Sequence, residues 1–109
     1  MEIICFHNPD EENGYLSNWY ESKFIVDHVK FSSMEQFMVY EGLIAKFSQN
    51  EELKKQLKGT KTAILAECAV KDRIWGIGLS MKDLKRFDIT QWRGQNLLGY
   101  ALMEVRKRL

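Results

Sequence analysis

Apolar and polar positions change their spacing several times along this chain, and each spacing predicts an element. Residues 2–7 (EIICFH) form a short apolar run with β-branched side chains, a strand closed by the turn signals Asn8-Pro9-Asp10 and Asn13-Gly14. Residues 15–19 read as a loop or a short extended piece. Residues 23–29 (KFIVDHV) have strand composition, and Asp27-His28 near the centre suggests a tight hairpin. Ser32 followed by Glu35 matches a capping box, in which hydroxyl and carboxylate satisfy free amides of a first helical turn. From Met34 onward, Phe37, Met38, Ile44, Ala45 and Phe47 recur at helical spacing, and Gly42 predicts a kink or a break. Ser48 with Glu51 repeats the capping box and opens a helix over 51–58, with Gly59 at its C-terminus. Residues 63–68 (AILAEC) predict a strand or a short buried segment, and Ser80 with Asp83 a short helix. Over residues 96–109, Leu97, Leu98, Ala101, Leu102, Val105 and Leu109 share one helical face, and Lys107 and Arg108 suit the negative end of its dipole. The sum is an α+β fold: one small, helix-rich domain over residues 1–109 with a few short strands.

Composition narrows the function classes. A chain of 109 residues has room for one core and not for two. A formal net charge of +1 gives no electrostatic reason for strong nonspecific binding to nucleic acid. No apolar run approaches the roughly 20 residues needed to cross a bilayer, and no secretory signal follows Met1. Cys5 and Cys68 are far apart in sequence and lack a paired motif, so buried, reduced thiols in a cytoplasmic protein are expected. No metal and no organic cofactor is implied. His7 and His28 have no partners at metal or triad spacing and read as structural or exposed.

Candidate chemistry concentrates in the last third. Asp72-Arg73-Ile74-Trp75-Gly76-Ile77-Gly78 supplies a carboxylate, a planar ring and backbone that another atom can approach closely. On a helical turn Asp72 and Trp75 would share a side, yet a core tryptophan beside a capping aspartate fits the same spacing. Asn96 could bind a ligand or cap the last helix. Glu67 sits inside an apolar run where an unpaired acid is expensive, so it is either paired with a base such as Arg106 or turned into a pocket. Lys46 follows a helical apolar run, where a solvated or snorkelling lysine is the ordinary outcome. Trp19, Trp75 and Trp92 read as core by default.

These residues resemble the NADAR family, which includes YbiA-like proteins. The matching pieces, in family order, are Ser17-Asn18-Trp19, Ser33-Met34-Glu35-Gln36-Phe37, Ala45-Lys46-Phe47, Thr60 with Glu67, Asp72-x-x-Trp75-Gly76-x-Gly78, and Gly94-x-Asn96-x-Leu98-Gly99 running on through Leu102-Met103 to Arg106. The resemblance implies a domain that acts on N-ribosyl compounds related to NAD or ADP-ribose. It implies hydrolysis of an N-glycosidic bond, either in a ribosylamino-pyrimidine phosphate of riboflavin synthesis or in ADP-ribose attached to guanine. It also points to Glu35 and Lys46 as catalytic, and to Asn18, Glu67, Asp72, Trp75, Gly76, Gly78 and Asn96 as ligand-binding.

One departure stands out. Family members continue the Glu35 helix with a stretch carrying a lysine, then a further helical segment. Here Met38 runs almost directly into Ala45-Lys46-Phe47, and Gly42 falls where that lysine would stand. Two other readings therefore remain beside catalysis: a module that holds ADP-ribose or NAD without turnover, and a structural domain that completes its core as a homo-oligomer. Five Met and three Trp would supply apolar surface for the last of these.

Overall fold

The computed structural model describes residues 1–17 and 35–109, the first three of the second stretch by backbone alone. The expected strand over 23–29, the capping box of Ser32 with Glu35, Asn18 and Trp19 lie outside the described residues or side chains.

Two short strands lie at the centre. Strand β1 (Ile3–Phe6) and strand β2 (Ile64–Glu67) pair in parallel, in a register running from Ile3 opposite Ile64 to Phe6 opposite Glu67. A parallel pair needs a long crossover, and here it contains two helices, α1 (Glu35–Ser48) and α2 (Glu51–Gly59). The chain then continues from β2 through a long loop to helix α3 (Leu97–Arg108).

Alternation along the strands divides the core in two. Phe6 and Leu65 face the helices, where they pack with Leu43 and Phe47 of α1, Leu53 and Leu57 of α2, and Leu98, Leu102 and Val105 of α3. Cys5 and Ala66 face the other way, with Cys68, Ile77 and Leu79. Both cysteines are free and buried. Glu67 pairs with Phe6, so the one acid of β2 falls on the helix-facing side.

Local chemistry sets several boundaries differently from the sequence patterns. Helix α1 passes through Gly42 without the expected break, its flanking residues Leu43 and Phe47 packed in the core. Ser48 ends α1, its hydroxyl donating to the Ala45 carbonyl, and so does not cap α2. Asn50 precedes α2 and donates back to the Lys46 carbonyl at 2.7 Å. Glu51 and Glu52 in the first turn of α2 and Lys58 in the last match its dipole. The left-handed residue after α2 is Lys61 (φ 56°), while Gly59 stays helical. Residues 14–16 form a 3-10 turn where a loop or extended piece is expected. The helix expected near Ser80 becomes two 3-10 turns, Leu84–Phe87 and Ile89–Gln91, capped by Asp83 and Asp88.

Helix α3 is held at its start by the preceding loop. The carbonyls of Ile74, Trp75 and Gly76 accept from the amides of Leu97, Leu98 and Asn96 at 3.0–3.1 Å. Backbone therefore performs the capping expected of the Asn96 side chain, which makes no cap hydrogen bond. The same contacts lock the 74–76 loop against the helix.

Candidate active site

The far ends of β1 and β2 point at a shared recess. Because Phe6 pairs with Glu67, His7, the residue just past the end of β1, emerges near that carboxylate, and its Nδ1 lies 3.1 Å from Oε1 of Glu67. The two residues are 60 apart in sequence. Glu67 is buried, and its Oε2 has no hydrogen-bond partner among the described residues. Burial pushes its carboxyl up to about 7; the His7 hydrogen bond and charge pull it down, and Asp72 adds a smaller upward push. Such a group is divided between acid and carboxylate near neutral pH.

A cavity of about 890 Å³ opens over this pair. Val39 from α1, Leu98 from α3 and Trp75 form apolar wall, and Ser17, His7 and Glu67 supply polar groups. The loop after β2 forms the remaining side, with Asp72 flanked by Lys71 and Arg73. Oδ1 of Asp72 accepts from the amides of Ile74 (3.0 Å) and Trp75 (2.8 Å), so the carboxylate shapes this loop as a cap would. The spacing that looked like a helical turn is this loop. Trp75 is half-buried and does two things: it packs against the helix-side core and it lines the cavity.

The other expected site residues sit behind the wall. Lys46 is 4% exposed, and its Nζ donates to the carbonyls of Tyr15 (2.8 Å) and Ser17 (3.1 Å). Burial lowers its ammonium to about 8. One of these bonds is to Ser17, which lines the cavity. Asn96 is fully buried with a left-handed backbone (φ 56°); its Oδ1 accepts from the Glu67 amide and its Nδ2 donates to the Leu65 carbonyl. Its amide serves β2, which corrects the expectation of a side-chain cap. Gly76 and Gly78 also face protein. A Cβ on Gly76 would come within 2.9–3.0 Å of the Asp72 and Glu67 carbonyl oxygens, and Gly78 (φ 74°) turns against Arg93. Arg106 donates to Thr60 Oγ1 and the Ala63 carbonyl, so it is not the partner of Glu67. The side chain of Glu35 lies outside the description, although its backbone begins α1.

His7 is the site residue that sequence reasoning missed. Its only signal was position: it closes an apolar run, as Glu67 nearly closes another, and a parallel register aligns the two ends. Among the described residues, no group of three His, Cys, Asp or Glu is placed to hold a metal ion. No helix among them is long and apolar enough to cross a membrane.

Comparison with known proteins gives the family and the fold. Residues 30–109 match the model of the NADAR domain. The chain is 41% identical over 70 residues to N-glycosidase R617 of Acanthamoeba polyphaga mimivirus, a match over 64% of this chain and 41% of that protein. It is 39% identical over 79 residues to Protein irg-1 of Caenorhabditis elegans, over 72% of this chain and 37% of that one. It is 34% identical over 79 residues to N-glycosidase YbiA of Escherichia coli (strain K12), over 72% of this chain and 42% of that protein. The matches thus span about two fifths of these relatives' own lengths. The NMR structure of E. coli YbiA superposes with a TM-score of 0.75 at 24% identity, covering 98% of this chain and 84% of that one, which shows the same fold. With a family match over residues 30–109, this chain belongs to the NADAR domain family.

Proposed function

We propose that residues 1–109 act as one domain that hydrolyses the N-glycosidic bond of a ribosyl nucleotide. The observation that carries this reading is the Glu67 carboxyl, buried at the edge of a cavity of about 890 Å³ and held at one oxygen by His7. The names of R617 and YbiA as N-glycosidases support the same class of reaction.

Cleaving a ribosyl C–N bond builds positive charge on the sugar and negative charge on the departing base nitrogen. The first needs a carboxylate nearby; the second needs a proton. A carboxyl group near 7 holds a proton that it can hand to the base nitrogen, and the resulting carboxylate can then take one from the attacking water. Glu35, at the start of α1, is the proposed second carboxylate. Trp75 offers its ring to the base, and Asp72, with Oδ1 taken up by the loop, offers Oδ2 to ribose hydroxyls. Asn18 is proposed as a ligand contact on the family motif alone. Lys46, Asn96, Gly76 and Gly78 act through the scaffold.

Two substrates fit the reaction: a ribosylamino-pyrimidine phosphate and ADP-ribose on guanine. The test is to incubate the protein with each and follow release of free base by liquid chromatography. Release abolished by Glu67→Gln supports the proposal. Binding of ADP-ribose without release from either substrate replaces it with a non-catalytic binding module.

A further inference from the structure

Glu67 is a buried acid, and among the described residues the one side chain that bonds its carboxyl comes from outside the segment that matches the family. The match covers residues 30–109, whereas His7 sits just past the end of β1. We propose that His7 is a positioning residue for Glu67, one that fixes the carboxyl through Oε1 and governs which protonation state the acid holds. The inference rests on the reading of Glu67 as the proton-transferring group.

Three observations support it. First, the contact is made by register. The parallel pairing that sets Phe6 opposite Glu67 fixes where the His7 backbone leaves the strand, one residue beyond the partner of Glu67, and the imidazole reaches Oε1 at 3.1 Å from there. Second, the two carboxyl oxygens are inequivalent. Oε1 has the imidazole, while Oε2 is shielded from solvent with no partner among the described residues. Third, the His7 side chain is 34% exposed and lines the cavity, so the imidazole can exchange protons with water while Glu67, at 10%, cannot do so readily. The pair is a route by which a buried acid can be reloaded between turnovers.

Among the described residues, four titratable or charged groups stand near Glu67 or line its cavity. His7 approaches from β1, and Lys71, Asp72 and Arg73 belong to the cavity loop. Asn96 touches Glu67 only through its backbone amide and carries no charge. Of these groups His7 alone bonds to the carboxyl oxygens, so its removal has a direct and separable effect.

The experiment follows the Glu67 carboxyl by 13C NMR in glutamate-labelled protein, across pH, for wild type, His7→Ala and His7→Asn. Asparagine places an amide N–H near the position of Nδ1 but carries no charge. Loss of hydrogen bond and charge together in His7→Ala should raise the Glu67 midpoint by about one unit, the scale of a neighbouring charge. His7→Asn should give a smaller rise. In parallel, the alkaline limb of kcat/KM for base release should move with the carboxyl midpoint. A structural role would lower activity without moving that limb. A Glu67 midpoint that stays within about 0.2 units in both folded variants overturns the inference, whatever happens to activity. A wild type that cleaves nothing sinks the proposed function, and the NMR midpoint still decides whether His7 governs Glu67.

Discussion

Asn96 Nδ2 donates to the carbonyl oxygen of Leu65 at 2.8 Å, joining the start of α3 to the middle of β2 across 31 residues of sequence. One turn on, Gly99 brings helix backbone so close that a Cβ there would overlap the same Leu65 oxygen. Because the Asn96 Oδ1 takes the Glu67 amide, one side chain positions the strand that carries the acid of the site.

Asn96→Ala should therefore destabilise the fold by at least about 2 kcal/mol, since two buried backbone groups lose their partners and alanine disfavours the left-handed backbone. Gly99→Ala should cost as much or more, by forcing α3 away from β2. Urea denaturation with an unchanged m-value measures both. A loss under about 0.5 kcal/mol for Asn96→Ala would show that the clamp contributes little.

Glu67 gives stability a pH dependence of definite sign. Its folded pKa, about 7, lies above the ordinary 4.5. The native state thus binds this proton more tightly than the unfolded chain does. Its contribution is complete below about 4.5 and is lost as pH rises through about 7. The full span is on the order of 3 kcal/mol. Glu67→Gln should flatten the stability profile in this window and leave the variant more stable than wild type at pH 8. A wild-type profile that keeps its slope after the substitution would place the titrating group elsewhere.

Lys46 gives the opposite sign at higher pH. Its folded pKa, about 8, lies below 10.5, so the stability it contributes is present above 10.5 and is lost as pH falls through about 8. Lys46→Met removes this dependence, yet leaves the Tyr15 and Ser17 carbonyls without their donor, at about 1–3 kcal/mol. Thermal melts at pH 8 and pH 10 separate the two effects. If Lys46 acts through the scaffold, the folded variant keeps base release within about tenfold; a loss beyond about a hundredfold marks it as catalytic.

Elements with strong periodicity were legible before any coordinates. The strand around residues 3–6 and the last helix follow from apolar spacing, 64–67 takes the strand alternative of an apolar run, and the helix after 51 forms although Ser48 does not cap it. What spacing cannot carry is which distant segments meet. The His7–Glu67 contact depends on a parallel register between strands some 60 residues apart, and neither residue has a local pattern that announces it. Asn96 shows a second limit. An Asn ahead of an apolar helix is a natural cap, but loop carbonyls already take those amides and free its side chain for β2. The glycines of the Asp72–Gly78 stretch signal close approach correctly, but the approaching atoms belong to the same chain, carbonyl oxygens of Asp72 and Glu67 at Gly76 and Arg93 at Gly78.

Trp75 tests the cavity itself. ADP-ribose at about 100 times its Kd should stabilise the protein by about 2.7 kcal/mol, seen as a rise in Tm. Trp75→Ala should remove most of that rise, because the ring lines the cavity. It should also lower the unliganded Tm, because the same ring packs on the helix-side core. An intact ligand-induced rise in a folded Trp75→Ala protein would assign the ring to the core alone.

The sharpest prediction compares the two glutamates. Glu67→Gln keeps an oxygen to accept from His7 but has no proton to transfer, and should slow base release by about a hundredfold or more. Glu35→Gln keeps hydrogen-bonding capacity at the start of α1 and removes only the charge, so its stability should fall by well under about 1 kcal/mol. If Glu35 stabilises the charged sugar, its variant should also lose about two orders of magnitude in rate. The double variant discriminates further. Groups that serve one transition state are strongly non-additive, so the double variant should be little slower than the worse single one. Base release that survives either substitution within about threefold removes that residue from the chemistry. Survival in Glu67→Gln alone would move the proton-transfer role to Glu35 and leave Glu67 as a buried structural acid.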